Sequence, residues 1–210
     1  MTATLPPLPP DAAELLAALD APPRLVAHLA LVHEVAELIA EFCAGEGLVF
    51  DRAAVRYGAA THDIGKTVHP EELSGPGSRH EAAGHALLLS RGVPEHLARF
   101  ARSHASWDEP GTTVEELLVS LADKAWKNKR VRDLEDRVVD RLAAAGGRER
   151  WEAFLALDDL LTAIGEDAPR RLAVQAAHPL RQRAAHPVRN GRRARSVPGE
   201  TGATRRPGRC

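Results

Sequence analysis

Two adjacent residues, His62 and Asp63, follow a short helix predicted for residues 52–61 and could ligate a metal ion together. Neighbouring side chains on a regular helix point about 100° apart, so both can reach one ion only where the backbone leaves helical geometry. Gly65 permits an unusual turn directly after the pair, and Lys66 places a cation beside it. A lone His-Asp pair is common, so a metal site requires further ligands elsewhere in the chain.

Three other histidines lie where predicted helices would point them inward. His104 completes an apolar stripe on a helix predicted for residues 95–105, and His33 borders the stripe of the long first helix. His80 opens a helix in which Gly84, one turn later, would let another backbone approach closely. Each of these histidines alone also has an ordinary structural interpretation. The remaining histidines of this region are interpreted as surface groups or as outer neighbours of a site: His28, His69, His85 and His96.

Asp123 has two interpretations. Val119 at i−4 and Trp126 at i+3 give it partly apolar surroundings, which favours a buried ligand. Glu116 and Lys127 lie near it on the helical wheel, which is typical of a solvated carboxylate. The spacing alone leaves both interpretations open.

Helices are the elements that would position these residues. The chain is 44% hydrophobic but only 4% aromatic, and a core made mainly of Ala, Leu and Val favours packed helices over a sheet. A stripe with spacings of three and four from Leu25 to Cys43 predicts a long helix that begins at Pro22-Pro23. No segment predicts a strand, so the predicted class is all-α. Further helices are predicted at 11–19, 52–61, 78–90, 95–105, 131–145 and 148–165, with another capped by Thr113 through a capping box with Glu116.

The loop that follows His62 is longer than a connection between packed helices requires. It is polar, carries several glycines and two prolines, and runs to Ser78. Loops of this length are often functional. We therefore expect it to contribute to a site.

The composition divides the chain into three regions. The Pro-rich residues 1–10 are predicted to be disordered, residues 11–175 to form a helical domain, and residues 176–210 to form a disordered Arg/Pro-rich tail. Residues 181–210 hold nine arginines and one acid, which leaves residues 1–180 with a net charge of −9. The tail could bind nucleic acid electrostatically, although a non-functional extension fits its composition better.

The sequence also limits the location that we expect. Its start has no basic stretch followed by an apolar run, and no segment of about 18 uninterrupted apolar residues exists. We therefore expect no membrane contact and a cytoplasmic protein.

In order and spacing these residues resemble the HD-domain phosphohydrolase family, in particular its HDIGK-bearing members. The motifs THDIGK, RHEAAG and LADK occur in the family's order within residues 24–130, with His33 before them and His104 between the last two. The resemblance implies a helical bundle around a metal centre. The ligands that it implies are His33, His62, Asp63 and Asp123 for one ion, and His80 and His104 with a bridging Asp63 for a second.

The resemblance also implies a reaction. A phosphate ester or anhydride of a small substrate, such as a nucleotide, would be cleaved by attack of metal-bound water. Asp63 would hold the metals and Lys66 would stabilise the developing negative charge. One or two divalent ions would serve, and iron, manganese, cobalt, nickel and zinc all suit such ligands. Further candidates to bind substrate phosphates are Arg79, Lys124, Lys127 and Arg130.

Two alternatives belong to other classes. A non-catalytic HD module would bind a nucleotide or a protein partner as a regulator, but degenerate copies usually lack one or more ligands. A di-iron centre on the same scaffold would perform oxygenase chemistry. The GYP tripeptide of the cyclic-dinucleotide branch is absent from the sequence, which counts against that substrate. The residues do not specify the substrate, the metal, the general acid or the oligomeric state.

Overall fold

The computed structural model describes residues 4–180, which form helices and loops without a β-strand. This architecture confirms the predicted all-α class. Of the segments predicted to be disordered, 1–10 and 176–210, residues 1–3 and 181–210 lie outside the described residues. The helices are α1 (Pro10–Ala18), α2 (Pro23–Gly45), α3 (Arg52–Thr61), α4 (Arg79–Ser90), α5 (Glu95–Ala98), α6 (Phe100–Ser103), α7 (Val114–Ala125), α8 (Arg132–Gly146), α9 (Arg150–Glu166) and α10 (Ala168–Ala176).

Local signals in the sequence determine where several helices begin. The predicted and observed bounds of the matching helices differ by no more than two residues, although the segment predicted as one helix at 95–105 forms the short α5 and α6. The side chain of Asp51 accepts a hydrogen bond from the Ala54 N–H at 3.0 Å and caps α3. Thr113 and Glu116 form both bonds of the predicted capping box at the start of α7. α10 was not among the predicted helices.

Two apolar cores flank the middle of the bundle. The larger core contains buried residues of α2, α3, α7, α8 and α9, among them Val35, Val55 and Leu118. The smaller core joins α1, the first half of α2, α4 and the turn after His62, through Leu25, Ile64 and other small apolar residues. α2 contributes to both cores and contacts both α3 and α7. The polar residues of the candidate site lie on the elements that these two cores hold together.

The Pro-rich start contacts the domain where the structure describes it. Leu5 and Leu8 are partly buried, and each packs against buried core residues. Its composition predicts disorder, whereas these two leucines gain apolar contacts in the fold. None of the helices between residues 4 and 180 is both long enough and apolar enough to cross a membrane.

A buried arginine connects the C-terminal helices to the rest of the bundle. Arg171 of α10 is 2% exposed, and its Nε donates a hydrogen bond to the carbonyl oxygen of Trp126 at 2.9 Å. Its Nη2 donates to the carbonyl oxygen of Ile164 near the end of α9, and its Nη1 lies 3.3 Å from Asp167. Carbonyl groups at helix ends lack partners within their own helix. Arg171 therefore satisfies two helix ends at once, including the end of α7.

Replacement of Arg171 by leucine should destabilise the domain by about 3 kcal/mol, because two buried carbonyl groups would lose their donor. Arg170→Leu is the control, since Arg170 is about half exposed and its ion pairs with Asp167 and Glu34 should contribute less than about 1 kcal/mol. The free energy of unfolding from urea titration measures both. Equal losses in the two variants would show that Arg171 does not stabilise these helix ends.

Candidate metal centre

The chain leaves helical geometry at the His62-Asp63 pair. His62 ends α3 with helical angles, whereas Asp63 has φ −100° and ψ 12° and begins a 3-10 turn, Ile64–Thr67. Ile64 is fully buried and anchors this turn in the smaller core. Both side chains of the pair are buried and point toward the same cluster of polar residues.

Two glycines bring this turn against α4. A Cβ atom at Gly65 would overlap the carbonyl oxygen of His80, and a Cβ at Gly84 would lie 2.9 Å from the Gly65 nitrogen. Gly65 does not have a positive φ, so the turn needs glycine for space and not for an unusual conformation. The close backbone contact places His80, on the first turn of α4, beside Asp63.

The carboxylate of Asp63 lies at the middle of the cluster. Its Oδ2 is 3.0 Å from His28 Nε2 and 3.7 Å from His62 Nε2. Its Oδ1 is 3.0 Å from His80 Nε2 and 3.6 Å from His104 Nε2. Each carboxylate oxygen therefore faces a different pair of imidazoles. The ligand atoms of His28, His62 and Asp63, and those of Asp63, His80 and His104, lie within 4.8 Å of one another.

His28 occupies the position that the sequence assigned to His33. Five residues on an α-helix correspond to a rotation of about 140°, so the two side chains leave α2 in different directions. His33 Nε2 lies 3.6 Å from Glu37 Oε1, one turn later on the same helix, and His33 is not part of either group of ligand atoms among the described residues. We therefore propose His28 as the ligand from α2, where the sequence predicted His33. Glu37 at i+4 was the signal in the sequence that His33 had a local partner.

Asp123 of α7 completes the cluster. Its Oδ1 lies 3.7 Å from His62 Nε2 and 3.8 Å from His28 Nε2, and the residue is 7% exposed. The interpretation as a solvated carboxylate is therefore wrong. Burial alone would raise the pKa of this carboxyl, but the neighbouring His62 imidazole and the positive charges of Lys124 and Lys127 outweigh burial and hold the pKa well below its usual value.

In three of the imidazoles, Nδ1 contacts an oxygen atom that fixes the orientation of the ring. His62 Nδ1 contacts the carbonyl oxygen of Ala59 at 2.9 Å, and His104 Nδ1 contacts that of Phe100 at 3.3 Å. His80 Nδ1 lies 2.6 Å from Oε2 of the buried Glu72. When Nδ1 donates to an oxygen, Nε2 keeps its lone pair free for a metal.

Two of these inward-facing nitrogens have no hydrogen-bond partner. The Nε2 atoms of His62 and His80 are buried, and neither forms a hydrogen bond. Buried polar atoms normally have a partner, and a bound cation would supply one. Sequence analysis did not identify Glu72, because nothing in the segment PEEL distinguishes it from Glu71.

Burial keeps most of these groups in the form that binds metals. Burial lowers the pKa of His28, and it lowers the pKa of His104 to about 4 together with the charge of His62. Burial would raise the pKa of Asp63, but the neighbouring imidazoles of His62, His28 and His80 hold it well below its usual value. Burial would also lower the pKa of His80, but the carboxylates of Asp63 and Glu72 outweigh burial and raise it. Neutral imidazoles and ionised carboxylates are the states that ligate divalent ions, so a metal would have to displace a proton from His80 when that imidazole is charged.

Lysines lie against both carboxylates. Lys66 Nζ is 2.5 Å from Asp63 Oδ2, and Lys124 Nζ is 2.7 Å from Asp123 Oδ2. Lys127 Nζ lies 5.7 Å from the centre of the Trp126 ring, which itself contacts His28. The structure therefore places these three predicted phosphate-binding residues in or beside the cluster.

Two other predicted phosphate-binding residues have partners elsewhere. Arg130 binds Glu135 at 2.8 Å and Asp158 at 2.6 Å, so it links structural elements and is not available at the cluster. Arg79 has a largely exposed side chain that lies 3.5 Å from Glu71. Arg130 follows Asp123 by only seven residues, but its guanidinium pairs with these two acids and not with the cluster.

A family model described as HD domain matches residues 31–142. The chain belongs to the HD-domain family. No curated protein and no solved structure matches it. HD-domain proteins form a superfamily of metal-dependent phosphohydrolases, and the buried His/Asp groups of this chain could hold a metal ion. His28 lies just before the matched segment, so its place in this HD domain is known from the geometry alone.

Gly65→Ala should destabilise the protein by about 2 kcal/mol or more, because the added methyl group overlaps backbone that cannot rotate away. It should also weaken metal binding, since the turn and α4 can no longer approach. Gly45→Ala is the control, because a Cβ there meets nothing within 4 Å. Thermal unfolding and binding of Co²⁺ measure the two effects. A Gly65→Ala protein as stable as Gly45→Ala would contradict the close approach.

His28→Gln should weaken the binding of Mn²⁺ or Co²⁺ by more than about 100-fold, because replacing even an outer neighbour of a metal ligand costs about 10–100-fold. His33→Gln, on the same helix and equally buried, should leave the affinity near that of the unmodified protein. Isothermal titration with the metal alone compares them. The reverse order of the two affinities would restore His33 as the ligand.

Proposed function

We propose that this protein hydrolyses a phosphate ester or anhydride bond of a small phosphorylated substrate. In this proposal, His28, His62, Asp63 and Asp123 hold one divalent ion, and Asp63, His80 and His104 hold a second. The observation that carries the proposal is the buried Asp63 carboxylate, whose two oxygens face separate pairs of imidazoles. Membership of the HD-domain family supports the class of reaction.

The protein's own groups are arranged before any substrate binds. A divalent metal in this cluster would lower the pKa of a bound water to roughly 7 and offset the negative charge of a phosphate. Hydrogen bonds at Nδ1 already orient His62, His80 and His104. Asp63 supplies the charge that two cations could share. Such preorganisation reduces the rearrangement that binding would otherwise require.

The lysines suit the anionic part of the substrate. The side chains of Lys66 and Lys124 are 18% and 16% exposed, so their ammonium groups lie between the buried carboxylates and solvent. A phosphate that enters the cluster meets these positive charges first. Lysine ammonium groups are mobile point charges and can move from a carboxylate to a phosphate oxygen. We therefore assign phosphate binding to Lys66 and Lys124, with Lys127 beside them.

The two alternative classes differ from this proposal in measurable ways. A regulatory HD module does not require a complete set of inward-facing ligands, whereas this chain has five buried groups around Asp63. An oxygenase would use the same ligands for iron, and no distance in the cluster favours it over a hydrolase. Consumption of oxygen by the iron-loaded protein would identify that chemistry.

Release of inorganic phosphate, of pyrophosphate or triphosphate, or of p-nitrophenol from a substrate panel tests the proposal. The protein is stripped with EDTA and reloaded separately with Mn²⁺, Co²⁺, Ni²⁺, Zn²⁺ or Fe²⁺. The panel contains nucleoside mono-, di- and triphosphates, p-nitrophenyl phosphate and its diester. We expect hydrolysis of at least one compound, loss of activity with EDTA, and recovery with one or more metals. A protein that binds metal yet cleaves none of them would favour the regulatory alternative.

Lys66→Met should lower kcat/KM for the best substrate by about 100-fold, because one positive charge that stabilises the phosphate is lost. The variant should keep its metal content, since methionine preserves the length of the side chain. Arg132→Met is the control, because the side chain of this arginine of α8 is 88% exposed and its ion pair among residues 4–180 is with Asp136. Steady-state kinetics and elemental analysis give both values. Wild-type kinetics in Lys66→Met would remove Lys66 from the site.

A further inference from the structure

The long loop after the His62-Asp63 pair places the buried carboxylate of Glu72 next to the cluster. Glu72 lies in a second 3-10 turn, Pro70–Leu73, and is 7% exposed. Its carboxylate accepts hydrogen bonds from the backbone N–H of Arg79 at 3.2 Å and of His80 at 3.1 Å. The same carboxylate lies 2.6 Å from His80 Nδ1. No other acidic group contacts a cluster imidazole through Nδ1 in the part of the chain that the structure describes.

We propose that Glu72 is a positioning residue of the metal centre. By accepting the proton of His80 Nδ1, its carboxylate fixes the tautomer and the orientation of this imidazole, so that Nε2 faces Asp63 with a free lone pair. The inference rests on the proposed function, because it assigns Glu72 to the ion held by Asp63, His80 and His104.

The chemistry of the partner separates His80 from the other imidazoles. His62 and His104 contact neutral backbone carbonyls through Nδ1, whereas His80 contacts a carboxylate at a shorter distance. Hydrogen bonds to an ionised acceptor are shorter and roughly twice as strong as neutral ones. A carboxylate behind a histidine also makes its other nitrogen a better metal ligand. Glu72 therefore strengthens one of the two ligand groups selectively.

The loop is constructed around this carboxylate. A Cβ atom at Gly77 would overlap the Glu72 side chain, so the loop backbone passes directly over the acid. Hydrogen bonds from His80 and from the start of α4 outweigh the burial of Glu72 and keep its pKa below the usual value. A simple connection between two helices does not need a loop of this length. The extra residues place Glu72 beside His80.

Capping of α4 alone is the competing explanation. Ser78, at the N-cap position of α4, forms no capping hydrogen bond with its side chain, and Glu72 takes over that role. A cap stabilises a helix without controlling which imidazole nitrogen carries a proton. The experiment must therefore measure the tautomer of His80 and the metal affinity, in addition to stability.

The test uses the full chain and compares Glu72→Gln with Glu135→Gln. Glu135 is also 7% exposed and accepts a backbone N–H at a helix start, from Val131 at 2.9 Å, but its other partner is Arg130. Long-range ¹H–¹⁵N spectra of histidine-labelled protein, assigned with His80→Gln, show which ring nitrogen is protonated. We expect protonation of His80 at Nδ1 in the unmodified protein and a shift toward Nε2 in Glu72→Gln.

Titration with Co²⁺ alone provides the second measurement. In Glu72→Gln, the affinity for one of the bound Co²⁺ ions should fall by about 10–100-fold, whereas Glu135→Gln should bind Co²⁺ as the unmodified protein does. An unchanged tautomer with unchanged affinity in Glu72→Gln, or an equal loss in Glu135→Gln, would overturn the inference. A neutral His80 that carries its single proton on Nε2 in the unmodified protein would overturn it even if Glu72→Gln failed to fold. If the unmodified protein bound no Co²⁺, the proposed hydrolase would be rejected, while the tautomer spectra would still decide the role of Glu72.

Discussion

The burial of the Asp63 carboxylate is the constraint on which the rest of this structure depends. An ionised carboxylate removed from water is costly unless charged or hydrogen-bonding groups surround it. Here the surroundings consist of four imidazoles and the Lys66 ammonium group, all within 3.7 Å of a carboxylate oxygen. The four imidazoles come from α2, the end of α3, α4 and the end of α6. The four segments must therefore meet at one point, and the two apolar cores on either side of the cluster hold them there.

The convergence of these segments requires close contacts between their backbones. Gly65 and Gly84 lack side chains because the turn and α4 touch through their main chains. The buried carboxylate of Glu72 accepts a hydrogen bond from the first turn of α4 and contacts the His80 imidazole. Arg171, which lies beyond the matched HD segment, satisfies one carbonyl group at the end of α7 and one near the end of α9. The positions of His80 and Asp123 thus depend on residues that never face the cluster, which explains why a compact site requires most of the domain.

Much of the fold was predictable because its signals are local. Three-and-four spacing, the capping box of Thr113 and Glu116, and the Asp51 cap involve residues within one or two helical turns. The split of residues 95–105 and the separate α10 were not predicted, since packing between distant segments determines them. The pair His62-Asp63, with His80, His104 and Asp123, was also correctly grouped as one cluster, although their roles as ligands stay a proposal.

The sequence by itself determined the helical class, the HD motif and the types of residue that the centre would contain. Only the tertiary structure decided which histidine of α2 enters the cluster, since His28 and His33 are both buried and helical periodicity does not reveal which neighbour each side faces. It likewise decided that Arg130 pairs with Glu135 and Asp158, and that Glu72 supports His80. Each of these contacts joins groups whose proximity depends on how whole elements pack, and spacing along the chain carries no information about that distance.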